Sequence, residues 1–492
     1  MIQVQLNKAD FEYDIHSLVK AFFPSENVCV SAEKKEPEEP VSAWLDIEFC
    51  GNGEELQEIT GIDVCWRTGQ NDPVRVHMDC ASTDRLHVKN VLKIGLYDML
   101  VTITGHALPW GSLTGIRPTK IPMQLLEEGK DELQIADHMR AAYHMSEEKI
   151  DLAIDIAKRE RALLSKLDYE NGFSLYIGIP FCPSTCLYCS FTSYPLGAWR
   201  GRVDAYLDAL EHELDYARAE FGHKKLNSIY IGGGTPTTLE PEQLDRLLSM
   251  IEERFDLSHL LEFTVEAGRP DSITREKLEA IRKHPIVDRI SVNPQTMKDE
   301  TLKVIGRHHT VAQTIDSFYL ARELGFDNIN MDLILGLPGE TLDDVRRTME
   351  QIERLHPDNL TVHSLALKRA ARLNICRDEY KDYRMEITPE HHAVTAQGAA
   401  KMGMAPYYLY RQKNMAGNFE NVGYGLPGKE GIYNILIMEE KQTILALGAG
   451  SVTKRVYADG RIERCANVKD VAQYIERIDE MIERKRQLFS IE

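Results

Sequence analysis

Residues 174–189 read SLYIGIPFCPSTCLYC, and the fold follows from how this stretch is parsed. SLYIGI is a short run of apolar and β-favouring residues closed by Pro180, which predicts a strand. Runs of the same kind recur downstream: SIYIGGG from Ser228, EFTVEAG from Glu262, RISVNPQ from Arg289, NINMDLILG from Asn328 and NLTVHSLAL from Asn359. Charged amphipathic helices fit between them, among them VDAYLDALEHELDYARAE, EQLDRLLSMIEERF and DDVRRTMEQIERL. Apolar strands alternating with helices predict an α/β fold, its parallel sheet either doubly wound or curled as a whole or partial barrel.

Beyond the first strand the chain becomes a loop carrying Cys182, Cys186 and Cys189 in the spacing Cys-x3-Cys-x2-Cys. Close thiolates on an irregular loop can converge on one metal centre, and iron–sulfur clusters are held by such ligands. Three thiolates leave one iron of a four-iron cluster open. Zinc is the rival, but a structural zinc site wants a fourth Cys or His, and no local one is evident. Three unrelated buried thiols is the remaining alternative.

Polar and glycine residues gather at the C-terminal ends of the strands, where barrel enzymes build their sites. Gly232, Gly233 and Gly234 allow backbone to approach a ligand, and Thr235-Pro236 turns the chain into the next helix. Glu266, Gln295 and Asp332 each end a strand and suit ribose hydroxyls or an ammonium group; Arg307 suits a carboxylate. His308 and His309 lack a helical ligand spacing and are read as surface or supporting groups.

With these motifs in place the chain resembles the radical S-adenosylmethionine superfamily, marked by Cys-x3-Cys-x-aromatic-Cys, with Tyr188 as the aromatic residue here. Within it, YIGIPFCPSTCLYC, GGGTPT, the Glu266 strand, VNPQT, DETLKVIGRHH and MDLILGLPGET are similar to the oxygen-independent coproporphyrinogen III oxidase family, HemZ-type members above all. The resemblance covers about residues 170–375 and implies a partial (β/α)6 barrel, a [4Fe-4S] cluster on the three cysteines and S-adenosylmethionine on its open iron. It further implies nucleotide contacts from Tyr176, Tyr188, Gly233, Gly234, Thr235, Glu266, Gln295, Arg307, Asp332 and Ala366. The implied reaction is oxidative decarboxylation of coproporphyrinogen III to protoporphyrinogen IX by a 5'-deoxyadenosyl radical, primed by an external donor such as a flavodoxin or ferredoxin. Where the oxidases carry a fourth cysteine this chain has Phe191, a departure shared with the haem chaperones. A haem-binding chaperone or a haem-modifying radical protein of the same family is therefore the alternative.

A flat macrocycle with four propionates wants aromatic faces and cationic forks. Tyr407, Tyr408, Tyr410, Arg411, Lys413 and Asn414 have that composition and are the substrate candidates; the alternative is that the tyrosines pack an accessory domain and the charges are solvated.

Upstream, VCVSA, AWLDIEF, ITGIDVCW and VRVHMDC alternate like half-buried strands before a helical run from Leu86 to Leu100. The expected organisation is an N-terminal α+β domain over 1–116, a helical connector over 117–169, the barrel over 170–375 and a C-terminal accessory, substrate-capping domain over 376–492. Residues from GIYNILIMEE to RIERC are read as hairpin-like. Lys and Arg number 58 against 77 Asp and Glu, a net charge of -19 that argues against a large nucleic-acid or anionic-membrane surface. The opening residues lack an apolar core behind a basic flank, and the expectation is a cytoplasmic protein. Nine cysteines, an odd number widely spread, do not read as a disulfide framework, and the six outside the cluster motif are expected to be packed thiols.

Overall fold

A computed structural model describes residues 1–33, 37, 39–52, 58–69, 72–366, 368, 371–380, 382–412 and 419–490. The chain divides into two units: Met1–Ala157 with Tyr410–Glu420, and Lys158–Leu409 with Asn421–Glu492.

In the first unit, β1 (Ile2–Leu6), β2 (Val28–Ser31), β3 (Ala43–Asn52), β4 (Glu58–Thr68) and β5 (Val74–Ser82) form one sheet in the order β2-β1-β3-β4-β5. Alternation dictates its inner face: Leu45, Ile47 and Phe49 of β3 pair with Trp66, Val64 and Ile62 of β4, and all six are buried. Helices Glu12–Phe22 and Arg85–Thr104 supply the opposing core residues, including Ile15, Leu18, Leu92 and Leu96. Asp84 caps the second of these by accepting from the Leu86 and His87 amides at 3.0 and 3.1 Å. Helices Lys120–Glu127 and Glu132–Tyr143 follow, and helix Glu147–Leu164 runs from this unit into the second. Two buried polar residues that return to this unit late in the chain, Arg411 and Glu420, are satisfied here. Glu420 accepts from the Trp110 indole and the Lys149 ammonium, both at 2.7 Å. Arg411 donates to the Leu113 carbonyl at 2.6 Å.

The second unit is built on β6 (Gly172–Ile179), the two-residue strands β7 (Phe181–Cys182) and β8 (Tyr194–Pro195), then β9 (Lys225–Gly233), β10 (Glu262–Glu266), β11 (Arg289–Ser291), β12 (Ile329–Leu335) and β13 (Asn359–Ser364). β14 (Ala405–Tyr410), β15 (Asn421–Gly425), β16 (Ile444–Leu447), β17 (Val452–Val456) and β18 (Ile462–Ala466) follow. All six strands expected from the sequence lie side by side and parallel, β6-β9-β10-β11-β12-β13, which is the partial (β/α)6 barrel.

The barrel does not close on itself. β15 adds antiparallel to β13 at one edge and β16 adds parallel to β6 at the other, making an 11-stranded sheet. The C-terminal segment expected as an accessory domain thus contributes its strands to the barrel's own sheet. Part of the hairpin reading also changes: Ile432–Glu439 is a helix, started after Gly431 and ended by Glu440 in a left-handed conformation (φ 52). IYNILIME is apolar on every side, and an apolar run of that length fits a buried helix as well as a strand. β17 and β18 do form a hairpin.

Among the described residues no helix is long and apolar enough to cross a membrane. All nine cysteines are free, and of the six outside the cluster motif only Cys80 is fully buried, the rest being half-buried.

Glu160, in the last helix before β6, is fully buried and neither carboxylate oxygen has a hydrogen-bond partner. Burial, then the Glu439 carboxylate, push its pKa well above the usual range, with Lys441 opposing. A carboxyl whose pKa is raised on folding stabilises the fold below its unfolded value, about 4.3, and loses that contribution as pH rises through the folded value. Glu160→Gln is therefore expected to stabilise the protein by about 1–3 kcal/mol at pH 8, the gain vanishing as the pH falls towards 4. Urea unfolding at the two pH values measures it; a pH-independent change, or a loss, contradicts this account of Glu160.

Candidate active site at the barrel mouth

Burial along five of the six parallel strands is interrupted by a half-buried polar or aromatic residue. Tyr176 on β6, Tyr230 on β9, Glu266 on β10, Asp332 on β12 and His363 on β13 are half-buried, and their neighbours towards the N-terminal end of each strand are almost all buried. Strand alternation puts Tyr176 in register with Tyr230, and their rings stack at 6.3 Å; Tyr433 joins them, 4.5 Å from Tyr230. The Tyr230 hydroxyl donates to Glu266. Burial, then the Asp332 carboxylate, push Glu266 up to about 7. Asp332 goes the other way: burial opposes its charge, but the His363 ring at 3.9 Å and the Asn330 amide at 2.8 Å hold its carboxyl below the usual range. Glu266 thus holds its proton more readily than Asp332 does.

The cysteine loop follows β6. Pro180 ends β6, and the β7–β8 ladder pins Phe181 against Tyr194 and Cys182 against Pro195. Ser184 donates to the Gly306 carbonyl at 3.0 Å, and the Leu187 amide to Ile305 at 2.9 Å. Burial pushes the Cys182 thiol up to about 11 and raises Cys189 as well. Bound iron reverses that bias, because a coordinating thiol is deprotonated outright. Among the described residues no three His, Cys, Asp or Glu side chains stand close enough to hold a single metal ion. A cluster spreads its thiolates over several irons.

The glycine turn forms the adjoining wall. Gly233 has φ 106, and a Cβ on Gly234 would stand 2.5 Å from the Phe181 carbonyl and 3.0 Å from Cys182 Sγ, so only glycine lets this backbone lie against the thiol. Thr235 is buried, its hydroxyl 3.5 Å from the same sulfur. Gly234→Ala is expected to cost at least about tenfold in S-adenosylmethionine affinity, ~1.4 kcal/mol, with overall helix content retained. Equilibrium binding and circular dichroism measure it, and unchanged affinity contradicts the wall.

Unsatisfied polar groups mark the rest of the rim. Gln295 is a non-glycine residue at φ 68, held there because its amide donates to Asp332 O and its carbonyl accepts from the Ile334 amide, both at 2.9 Å. Such conformations persist where the surroundings over-determine them, and they cluster at functional sites. Its buried side-chain Oε1 has no partner, nor have Asn293 Oδ1, Arg307 Nε and both ring nitrogens of His309. Arg307 is fixed by donating to the carbonyls of Asn293 and Gly268. Burial, then Arg307, lower the His309 ring to about 3, so it stays neutral, while His308 is exposed. Buried groups this short of partners fit a polar ligand that completes them. Tyr188 is half-buried in the cysteine loop, and Ala366 follows β13 at the same end of the barrel.

The substrate candidates are placed differently. Tyr407 and Tyr408 are buried in β14, and Tyr408 packs so tightly over Gly423 of β15 that a Cβ there would lie 1.9 Å from its ring. Tyr410 ends the strand half-buried, Arg411 is buried on the carbonyls noted above, and Lys413 and Asn414 lie outside the described residues. Tyr407, Tyr408 and Arg411 are engaged in packing and hydrogen bonding. Sequence reasoning missed Tyr230 and His363, although Tyr230 is in register with Tyr176 and His363 lies two residues beyond Thr361, the register partner of Asp332. It also missed Arg269, which donates to Cys186 Sγ at 3.2 Å.

Comparison with known proteins identifies the family. The Radical SAM superfamily model matches residues 176–352. The chain is 43% identical over 411 residues to the oxygen-independent coproporphyrinogen-III oxidase-like protein HemZ of Bacillus subtilis (strain 168), covering 82% of each. It is 34% identical over 308 residues to the heme chaperone HemW of the same organism, covering 62% of this chain and 76% of HemW. Among solved structures, coproporphyrinogen III oxidase (HemN) from Escherichia coli aligns with a TM-score of 0.51 at 23% identity, covering 65% of this chain and 73% of HemN, a likeness of fold. The chain belongs to the HemZ-type branch of the oxygen-independent coproporphyrinogen III oxidase family, within the radical S-adenosylmethionine superfamily.

Proposed function

We propose that this protein decarboxylates coproporphyrinogen III to protoporphyrinogen IX without oxygen, holding the family's [4Fe-4S] cluster on Cys182, Cys186 and Cys189. The observation that carries the reading is the set of half-buried Tyr176, Tyr230, Glu266, Asp332 and His363 on neighbouring parallel strands, the first of which leads into the cysteine loop. When bound, the cluster and S-adenosylmethionine together supply a carbon-centred radical that can take a hydrogen atom from an unactivated carbon.

The chain's own residues bind, orient and exclude water. Gly233, Gly234 and Thr235 present backbone to the methionine end of the nucleotide. Arg307 completes its unsatisfied Nε on a carboxylate, and Asp332, held charged, faces an ammonium group or ribose hydroxyl. Glu266 shares a hydrogen bond with Tyr230 and can accept from one hydroxyl while neutral enough to donate to another. Tyr188 and Ala366 border the nucleotide. On the substrate, each reacting propionate loses a hydrogen atom, then carbon dioxide and one electron, leaving a vinyl group. An external one-electron acceptor takes that electron, and an external one-electron donor of the flavodoxin or ferredoxin kind primes the cluster. No side chain need act as acid or base.

A haem-carrying role is the second reading, favoured by the 34% identity to HemW and by Phe191, which is 70% exposed two residues past Cys189. Anaerobic titration of the cluster-loaded chain with haem and with coproporphyrinogen III separates the two. Tight binding of coproporphyrinogen III that haem does not displace supports the oxidase; stoichiometric haem binding with no affinity for coproporphyrinogen III removes it.

A further inference from the structure

Arg269 stands three residues beyond the end of β10 and is 3% exposed. Asp271 grips its guanidinium from one side in a two-pronged pair, Nε to Oδ1 at 2.9 Å and Nη2 to Oδ2 at 2.7 Å. From the other side the same group meets the cysteine loop. Nη1 donates to Cys186 Sγ at 3.2 Å and to the Ser184 carbonyl at 3.2 Å, and Nη2 donates to the Ser184 hydroxyl at 3.1 Å. A planar fork gripped on one edge has little freedom on the other, so the N–H is aimed at the sulfur. Arg307, the other guanidinium near Cys186, donates to the carbonyls of Asn293 and Gly268 and also reaches the Cys186 sulfur, but no carboxylate grips it as Asp271 grips Arg269.

We propose that Arg269 sets the redox poise of the cluster through its hydrogen bond to the Cys186 sulfur, with Asp271 holding it in position. The inference rests on the assignment of the cluster to Cys182, Cys186 and Cys189. Reduction adds one electron from the external donor to the cluster, and no bond is made or broken. A cationic N–H donor at a ligand sulfur stabilises the more negative, reduced form more than the oxidised form, which raises the midpoint potential. A less powerful donor then suffices to prime the enzyme. Asp271 offsets part of the arginine's charge, so the fork delivers a directed hydrogen bond rather than a bare cation. Arg269 is a positioning residue for electron entry and touches neither nucleotide nor substrate in this role.

The test is a redox titration of the full chain, reconstituted anaerobically without S-adenosylmethionine and followed by the electron paramagnetic resonance of the reduced cluster. Arg269→Gln is combined with Asp271→Asn so that no buried carboxylate loses its cation. The expected result is a more negative midpoint potential than in the unaltered chain at equal iron and sulfide content. Arg269→Lys, which keeps the charge beside Asp271 but loses the fork, shifts it less in the same direction. Arg254→Gln, whose arginine pairs with Glu211 and Asp215 on a neighbouring helix, leaves it unchanged. An unshifted potential in the double variant overturns the proposal; should that variant take up no cluster, an unshifted potential in Arg269→Lys does so. An unaltered chain that gives no [4Fe-4S] signal overturns the cluster assignment itself, whereas a signal indifferent to Arg269 removes only this inference.

Discussion

Cys186→Ala is expected to reduce bound iron to background and 5'-deoxyadenosine formation by about 10³-fold or more, ~4 kcal/mol or more in barrier, with little change in folding. Three thiolates are the minimum that leaves a single iron open to a ligand, and the alanine leaves two. Apart from the Arg269 hydrogen bond, the loop's fastenings do not involve the sulfur. Ser184 still donates to Gly306, the Leu187 amide to Ile305, and the Leu373 amide to the Leu187 carbonyl. Iron and sulfide analysis, product analysis and circular dichroism together make the measurement. Cys376→Ala, at a half-buried thiol outside the loop, is the matched control and should retain both iron and activity. Full iron content in Cys186→Ala would contradict the assignment.

Lys485→Met is expected to cost the second unit about 3–5 kcal/mol, the largest single loss of stability foreseen here. Lys485 and Glu213 form an ion pair at 2.6 Å with both side chains fully buried. Glu213 also accepts from the Gly448 amide, Asn467 and Tyr474, so this carboxylate ties helix Val203–Phe221 to helix Ile478–Ser490 and to the turn between β16 and β17. Methionine matches the stem of lysine but leaves the carboxylate buried without a cation. Adding Glu213→Gln should recover part of the loss, since an amide needs no counter-charge. Denaturant unfolding monitored on the second unit tests it. A loss below about 1 kcal/mol, the scale of an exposed pair, would contradict the pair's structural role.

The parallel order of the six central strands was legible because each is a short apolar run ending in polar or glycine residues, and because connections between such strands are helical. The cysteine loop and the glycine turn were legible for a local reason: both are contiguous in sequence. What stayed hidden depends on distant partners. Nothing near Asn421 or Ile444 says that β15 will extend β13 or that β16 will extend β6. Arg269 reads as a loop cation until Asp271, Ser184 and Cys186 surround it. The aromatic and basic composition of residues 407–411 suited a tetrapyrrole, yet the same composition serves a packed strand followed by a buried arginine. Composition alone does not distinguish those outcomes; the carbonyls of Leu113 and Gly115, some 300 residues upstream, do.

The measurement that tests the central claim most directly is an anaerobic assay of the cluster-loaded chain with S-adenosylmethionine, a reductant and coproporphyrinogen III, following tetrapyrroles and 5'-deoxyadenosine together by mass spectrometry. The account predicts a divinyl product that has lost two carboxyl groups, formed in step with 5'-deoxyadenosine and absent in Cys186→Ala. Production of 5'-deoxyadenosine with coproporphyrinogen III left intact would contradict it.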